Sequence, residues 1–354
     1  VAEPASPGSP GPAAADFGFE LRIAWRRDDP EIAADAIDFW KRNALLPPGV
    51  DPAERAKELT GAAYKDGRLV ALATATLARI DRLHARFALL RASTDPAFRR
   101  SHAQRALGVP IREAVRSWSL AHPEERVAGR IAFMERDQWG DLDRQPVWPT
   151  TRLSLAGYDD RGRQVRVDWF DHFRFDQEAA PQPLPSAPPA AAPDVELRPA
   201  WRRDDPQVLA DAIAFWKRLG ILPGNVTPEA RAKELVLAAY RHGRVVGLVT
   251  AELGVLPQVR ARMAMLRGAV DPELRRSHVG SAMLLAASKI LETWSAEHPD
   301  ERLAGIGGII ESPELAAVQS QPYWPNSRFG LIGFTPDGRQ IRVAWFEDFR
   351  LDQP

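Results

Sequence analysis

The chain has 354 residues with Lys+Arg and Asp+Glu both at 47, a balance that excludes general binding to nucleic acid, which needs a surplus of cations to displace counterions, though it leaves room for a local basic patch. There is no cysteine, which excludes disulfides, thiolate zinc sites and a cysteine nucleophile. No apolar run approaches the roughly 18 residues of a membrane span, so the expectation is a soluble cytoplasmic protein.

Residues 1–18 form a tail dominated by Ala, Pro, Gly and Ser. It has no apolar core of the kind a signal peptide carries, and its composition predicts disorder. From there the chain is written twice. Shifting residues 20–177 by 176 lays them on 196–353 without a gap, with roughly half of the positions identical. AWRRDDP at 24–30 returns at 200–206, RAKEL at 55–59 returns at 231–235, and RRSH at 99–102 returns at 275–278. The domains expected are 19–177 and 195–354. Between them, 178–194 (EAAPQPLPSAPPAAAPD) reads as a semi-rigid Pro/Ala linker.

The second repeat shows the order of elements. VELRPAW (195–201) reads as a strand. A helix over 206–220 follows, capped by Asp204 or Asp205, with Pro206 in its first turn and Gly220 as its stop. TPEARAKELVLAAY reads as a second helix running into a strand, and His242-Gly243 turns the chain into the strand RVVGLVTAEL. VRARMAMLRGAV (259–270) is a further strand. A long helix runs from Ser277 to about Glu297, and LAGIGGII is a buried strand leading to Glu311. A short helix spans ESPELAAVQS. RFGLIGF and RQIRVAWFEDFRL close the repeat as a hairpin across Pro336-Asp337-Gly338. This β-α-α-β-β-β-α-β-α-β-β order predicts a mixed sheet with helices on both faces, of α+β or α/β class. No His grouping has metal-ligand spacing, so no metal is expected.

The segment Val270-Asp271-Pro272-Glu273-Leu274-Arg275, followed by Arg276-Ser277-His278-Val279-Gly280-Ser281-Ala282, resembles a signature of the GCN5-related N-acetyltransferase (GNAT) superfamily. There a V-x-P-x-x-R strand end precedes a Q/R-x-x-G-x-G/A loop that opens the long helix. His278 stands where the first glycine of that loop would be. The resemblance spans each repeat, so the layout is similar to tandem double-GNAT enzymes in which one half is catalytic and the other mainly structural. It implies an acyl-CoA-dependent N-acyltransferase, with acetyl-CoA or another acyl-CoA as donor and a small-molecule or peptide amine as acceptor.

By that resemblance the pyrophosphate sits on the loop of Arg275, Arg276, His278, Val279, Gly280, Ser281 and Ala282. Unsatisfied helix amides and the positive end of the helix dipole favour an anion there. The pantetheine arm lies between splayed strands around Met263–Ala269 and Gly305–Ile310, with Leu266, Arg267 and Val270 at its side. Glu311 is the candidate base, or else the cap of the helix that opens at SPEL; Glu135 is its counterpart. Tyr323 is the candidate acid, or else packs beside Trp324; Val147 replaces it in the first half.

The first repeat departs at the loop. Arg99-Arg100-Ser101-His102-Ala103-Gln104-Arg105 puts Gln104 and Arg105 in place of Gly280 and Ser281, and Pro110 falls inside the following helix. An interior proline removes a helix hydrogen bond, so this helix is expected to be kinked, shortened or late to begin, and the first cradle impaired. Ten of the eleven tryptophans pair across the repeats and read as core, or, for Trp324, Trp40 and Trp216, as the lining of an acceptor groove; Trp139 has no counterpart. A non-enzymatic GNAT-like module that binds a protein partner is the rival reading, and the two repeats are expected to pack as an internal pseudo-dimer.

Overall fold

The computed structural model describes residues 17–99, 101–134, 141–175, 194–274, 278–311 and 320–351. The tail to residue 16 and the linker up to residue 193 lie outside them, as do Arg275, Arg276, Ser277, Glu135 and most of the short helix expected over 311–320. The chain forms two compact units whose main division falls between Pro181 and Gln182.

The first unit comprises β1 (Glu20–Ile23), α1 (Pro30–Asn43), α2 (Pro52–Ala56), β2 (Leu59–Lys65), β3 (Arg68–Ile80), β4 (Ala85–Thr94), α3 (Ala103–Ala121), β5 (Val127–Met134), α4 (Asp141–Arg144), β6 (Ser154–Tyr158) and β7 (Gln164–Trp169). The second has β8 (Glu196–Pro199), α5 (Pro206–Leu219), α6 (Pro228–Ala232), β9 (Leu235–Arg241), β10 (Arg244–Leu256), β11 (Ala261–Val270), α7 (Val279–Glu297), β12 (Leu303–Ile309), β13 (Tyr323–Trp324), β14 (Phe329–Phe334) and β15 (Gln340–Trp345). Each unit is one mixed sheet. The first has strand order β1-β2-β3-β4-β5-β7-β6, and the second repeats it in mirror-listed form with the two-residue β13 added at one edge. One pair in each sheet is parallel, β4 with β5 and β11 with β12; the other neighbours are antiparallel.

Local chemistry sets the element ends. Asp205 accepts from the Val208 amide at 3.1 Å, Pro206 opens α5, and Gly220 ends it at φ 61°. The helix read over TPEARAKEL is only the five residues of α6, capped by Thr227. Val279, Met283, Ala287 and Leu291 seat α7 on one sheet face, where they join Val249, Ala264, Ile306 and Ala344 in a single core. Val208, Ala212, Phe215 and Trp216 seat α5 on the other face against Ala238 and Leu248.

The α3 expectation needs correcting. The helix is continuous over 19 residues through Pro110, the same length as α7, and is neither shortened nor late. Arg130, fully buried on β5, donates from Nη1 to the Gly108 carbonyl at 2.9 Å, in the turn that contains Pro110. Its Nε and Nη2 donate to Asp168 at 3.1 and 2.9 Å, and Arg112 on α3 donates to the same carboxylate at 3.0 Å. Burial pulls the Arg130 guanidinium below its usual value, and Asp168 opposes that shift. Thr151 approaches so closely that a Cβ on Gly108 would collide with its methyl group. The second unit has Ser288, Ile306 and Ala344 where the first has Arg112, Arg130 and Asp168, so uncharged residues stand there in place of a buried ion cluster.

Removing one partner from such a cluster strands buried charge. Asp168→Ala should cost about 3–5 kcal/mol of stability. The triple change Arg112→Ser, Arg130→Ile, Asp168→Ala, which copies the second unit, should recover most of that loss. Urea unfolding of the three proteins checks both expectations.

Candidate functional site

In the second unit β11 and β12 pair from Arg262–Leu303 to Met265–Gly307 and then separate. Beyond that point β11 runs on to Val270 beside β10 alone, and β12 continues with Gly308 and Ile309 beside β15. The result is a cleft between two parallel strands. Its wall on one side is Leu266–Val270, and its wall on the other is Gly308–Ile310, which stay half-exposed. Leu266 and Val270 face α7. Arg267 alternates to the opposite face, where its guanidinium is held by Glu252 at 3.0 Å.

The N-terminus of α7 stands at the open end of this cleft. A Cβ built on Gly280 would lie 3.7 Å from the Val270 side chain, which places the first turn of the helix against the end of β11. The first intrahelical bond into this turn is Ala282 N–H to the His278 carbonyl at 3.0 Å. The amides of Val279, Gly280 and Ser281 precede it and have no acceptor within the helix. The His278 side chain makes no capping bond to this end. Gly280 and Ser281 are exposed.

His278 explains its own position. Its backbone is left-handed, φ 64° and ψ 0°, and His102 repeats this at φ 67° and ψ 8°. The chain needs a left-handed residue to turn from the strand into the helix. Glycine meets that need without strain, and histidine is one of the few other residues that visit this region readily. Its imidazole is exposed. Asp271 anchors the start of the same segment: it accepts from the Glu273 amide at 3.3 Å and from Arg218 at 3.0 Å. Burial raises its carboxyl, but these bonds outweigh it and hold the group below its usual range.

The first unit has the same backbone with the space filled. Gln104 projects from the first turn of α3 and donates to the Leu72 and Ser93 carbonyls at 2.9 and 2.7 Å. Arg105 donates to Thr150 at 3.2 Å and lies 6.0 Å over the Phe17 ring, which itself sits 5.5 Å from the His102 ring. Between β4 and β5, Ala132 and Met134 are buried with Trp148 and Leu153, and Leu90 and Leu142 pack against them. Trp148 Nε1 is fixed by the Leu142 carbonyl at 2.7 Å.

Of the residues singled out in the sequence, Leu266, Val270, His278, Val279, Gly280, Ser281 and Ala282 come together at this helix end and strand wall. Arg275 and Arg276 lie outside the described residues. Glu311 follows β12 directly and is exposed at the cleft's other wall. Tyr323 is on β13, in register through Gly330 and Val343 with Gly307. That is three strands from β12, roughly 14 Å across the sheet at about 4.8 Å per strand. The structure therefore does not bring Tyr323 beside Glu311.

One feature escaped the sequence reading. Arg166 and Arg342 occupy the same place on the last strand of each unit, fully buried, with the guanidinium 4.7 and 4.0 Å over Trp148 and Trp324. Gln340 Oε1 accepts from Arg342 at 2.9 and 2.7 Å, and burial pushes Arg342 down to about 9. The signal was present as an arginine between apolar residues in RQVRV and RQIRV. Among the described residues no helix is long and apolar enough to cross a membrane, and no three His, Cys, Asp or Glu side chains are grouped to hold a metal ion.

No protein-family model and no curated protein matches the sequence. Among solved structures, the chain is similar to a GNAT-family acetyltransferase from Streptococcus pneumoniae (16% identity, 43% of this chain and 99% of that one, TM-score 0.32). It is also similar to the GNAT domain of S. lividans PAT (12%, 43% and 90%, 0.30). A third is N-acetylglutamate synthase from Neisseria gonorrhoeae, complexed with coenzyme A and N-acetyl-glutamate (15%, 43% and 35%, 0.25). These are distant likenesses of fold, and the assignment stands on strand order and the splayed parallel pair: each unit of the chain has a GNAT-like mixed sheet.

Proposed function

We propose that the chain is an acyl-CoA-dependent N-acyltransferase in which the second unit binds the donor and the first is structural. The observation that carries this reading is the contrast at one position of the repeat. Gly280 leaves three helix amides open beside a cleft, where Gln104 fills the same place with a side chain bonded into the sheet. A pyrophosphate suits the Val279, Gly280 and Ser281 amides because they combine unsatisfied donors with the positive end of a 19-residue helix. Acetyl-CoA or a longer acyl-CoA would supply an activated thioester at the far end of the cleft.

The chain's own groups then have definite tasks. The acceptor amine attacks the thioester carbonyl, forming a C–N bond as the C–S bond breaks, and must lose a proton to do so. Glu311 stands four residues beyond Gly307, roughly 13 Å along an extended chain at about 3.3 Å per residue, and takes that proton by way of a chain of waters. The departing thiolate takes a proton from solvent, or from Tyr323 by way of water, because roughly 14 Å of sheet exceeds the reach of one side chain. That separation is also the observation that favours the second reading, a GNAT-like module that binds a partner without acyl transfer. For the enzyme, Glu311→Gln should lower kcat at least about tenfold with donor affinity retained.

Gly280→Gln installs the first unit's residue at a position where its Cβ meets only ordinary contact. Titration calorimetry of acetyl-CoA into the full chain should give one site. The variant should bind at least about tenfold more weakly, with an unchanged melting temperature. Equal affinity in the two proteins would remove the helix end from the account.

A further inference from the structure

The closed end of the cleft differs between the units in a way that bears on which acyl group is carried. This step rests on the acyl-CoA reading above. A donor arm that starts at Gly280 beside Val270 and follows β11 passes five residues to reach Met265, about 17 Å at roughly 3.3 Å per residue. There the strands close at the Met265–Gly307 pair, so an acyl group on the arm meets these two residues. On the α7 face the closed end is sealed by Ala264 and Ile306, both fully buried. On the opposite face Gly307 offers no side chain. The Met265 thioether lies over it instead, with Sδ 2.6 Å from where a Cβ of Gly307 would stand.

Methionine is unbranched and turns about three bonds, so it leaves such a position at little cost. The first unit carries Leu89 and Ile131 at the same register. Ile131 is fully buried, and this pair of branched side chains fills the space with nothing that swings aside.

We infer that Met265 is a movable cover over a pocket floored by Gly307, and that the second unit prefers acyl chains of about four to six carbons to acetyl. Moving the end of the methionine side chain off Gly307 frees room for about three methylene groups, each worth roughly fourfold in affinity when buried.

The test is calorimetric titration of CoA, acetyl-CoA, butyryl-CoA and hexanoyl-CoA into the full chain. Hexanoyl-CoA should bind at least about tenfold tighter than acetyl-CoA. The double variant M265L/G307I places two branched side chains where the first unit's sheet already holds Leu89 and Ile131. It should bring the ratio of hexanoyl-CoA to CoA affinity to about one. Equal affinities along the series in the unaltered chain, or an unchanged preference in the double variant, overturn the inference and leave the acyl-CoA reading standing. Failure of CoA and all three acyl forms to bind overturns both.

Discussion

A parallel strand pair that stops pairing partway is the constraint on which each unit depends. Two strands that leave the ladder early expose main-chain groups and half-buried apolar side chains, and that surface must be covered by protein or by a ligand. In the first unit protein covers it: Trp148, Leu142 and Leu153 close over Ala132 and Met134. In the second unit the corresponding strand is thinned to Gly307 and Gly308, and Ile309 and Ile310 remain half-exposed. The long helix is placed by the same geometry, because it begins where the longer strand of the pair ends.

The duplication turns this into a comparison within one molecule. Backbone conformation is shared down to the left-handed histidine before each long helix, so the differences lie in side chains. The first unit differs by filling: an amide from Gln104 into the sheet, Ala132 and Met134 packed under Trp148 where the second unit has Gly308 and Ile310, and the Arg112–Asp168–Arg130 ions beneath the helix. Those ions are costly to bury, and three direct bonds of 2.9–3.1 Å to the Asp168 carboxylate offset that cost.

Much of the architecture was legible in the sequence because it is carried by local, periodic signals. The 176-residue repeat, the Asp205-Pro206 helix start, the Gly220 stop and the hairpin at Pro336-Asp337-Gly338 each act over a few residues. The contrast of Gly280 with Gln104 was visible for the same reason. Other features depend on elements far apart in the chain. Nothing local says that Gln104 reaches the carbonyls of two strands, or that Arg112, Arg130 and Asp168 share one site. Pro110 suggested a damaged helix, yet α3 runs through it, and the Arg130 that bonds the Gly108 carbonyl in the same turn comes from another element. Tyr323 was a candidate acid from its place in the sequence, but the sheet inserts two strands between β13 and β12.

The central claim is that one of two equivalent helix ends accepts an anionic donor and the other does not. Amide chemical-shift mapping of the full chain during addition of CoA reads both ends at once. The account predicts large shifts at Val279, Gly280 and Ser281 and none at Ala103, Gln104 and Arg105. Equal shifts at the two ends, or shifts confined to the first unit, would contradict it.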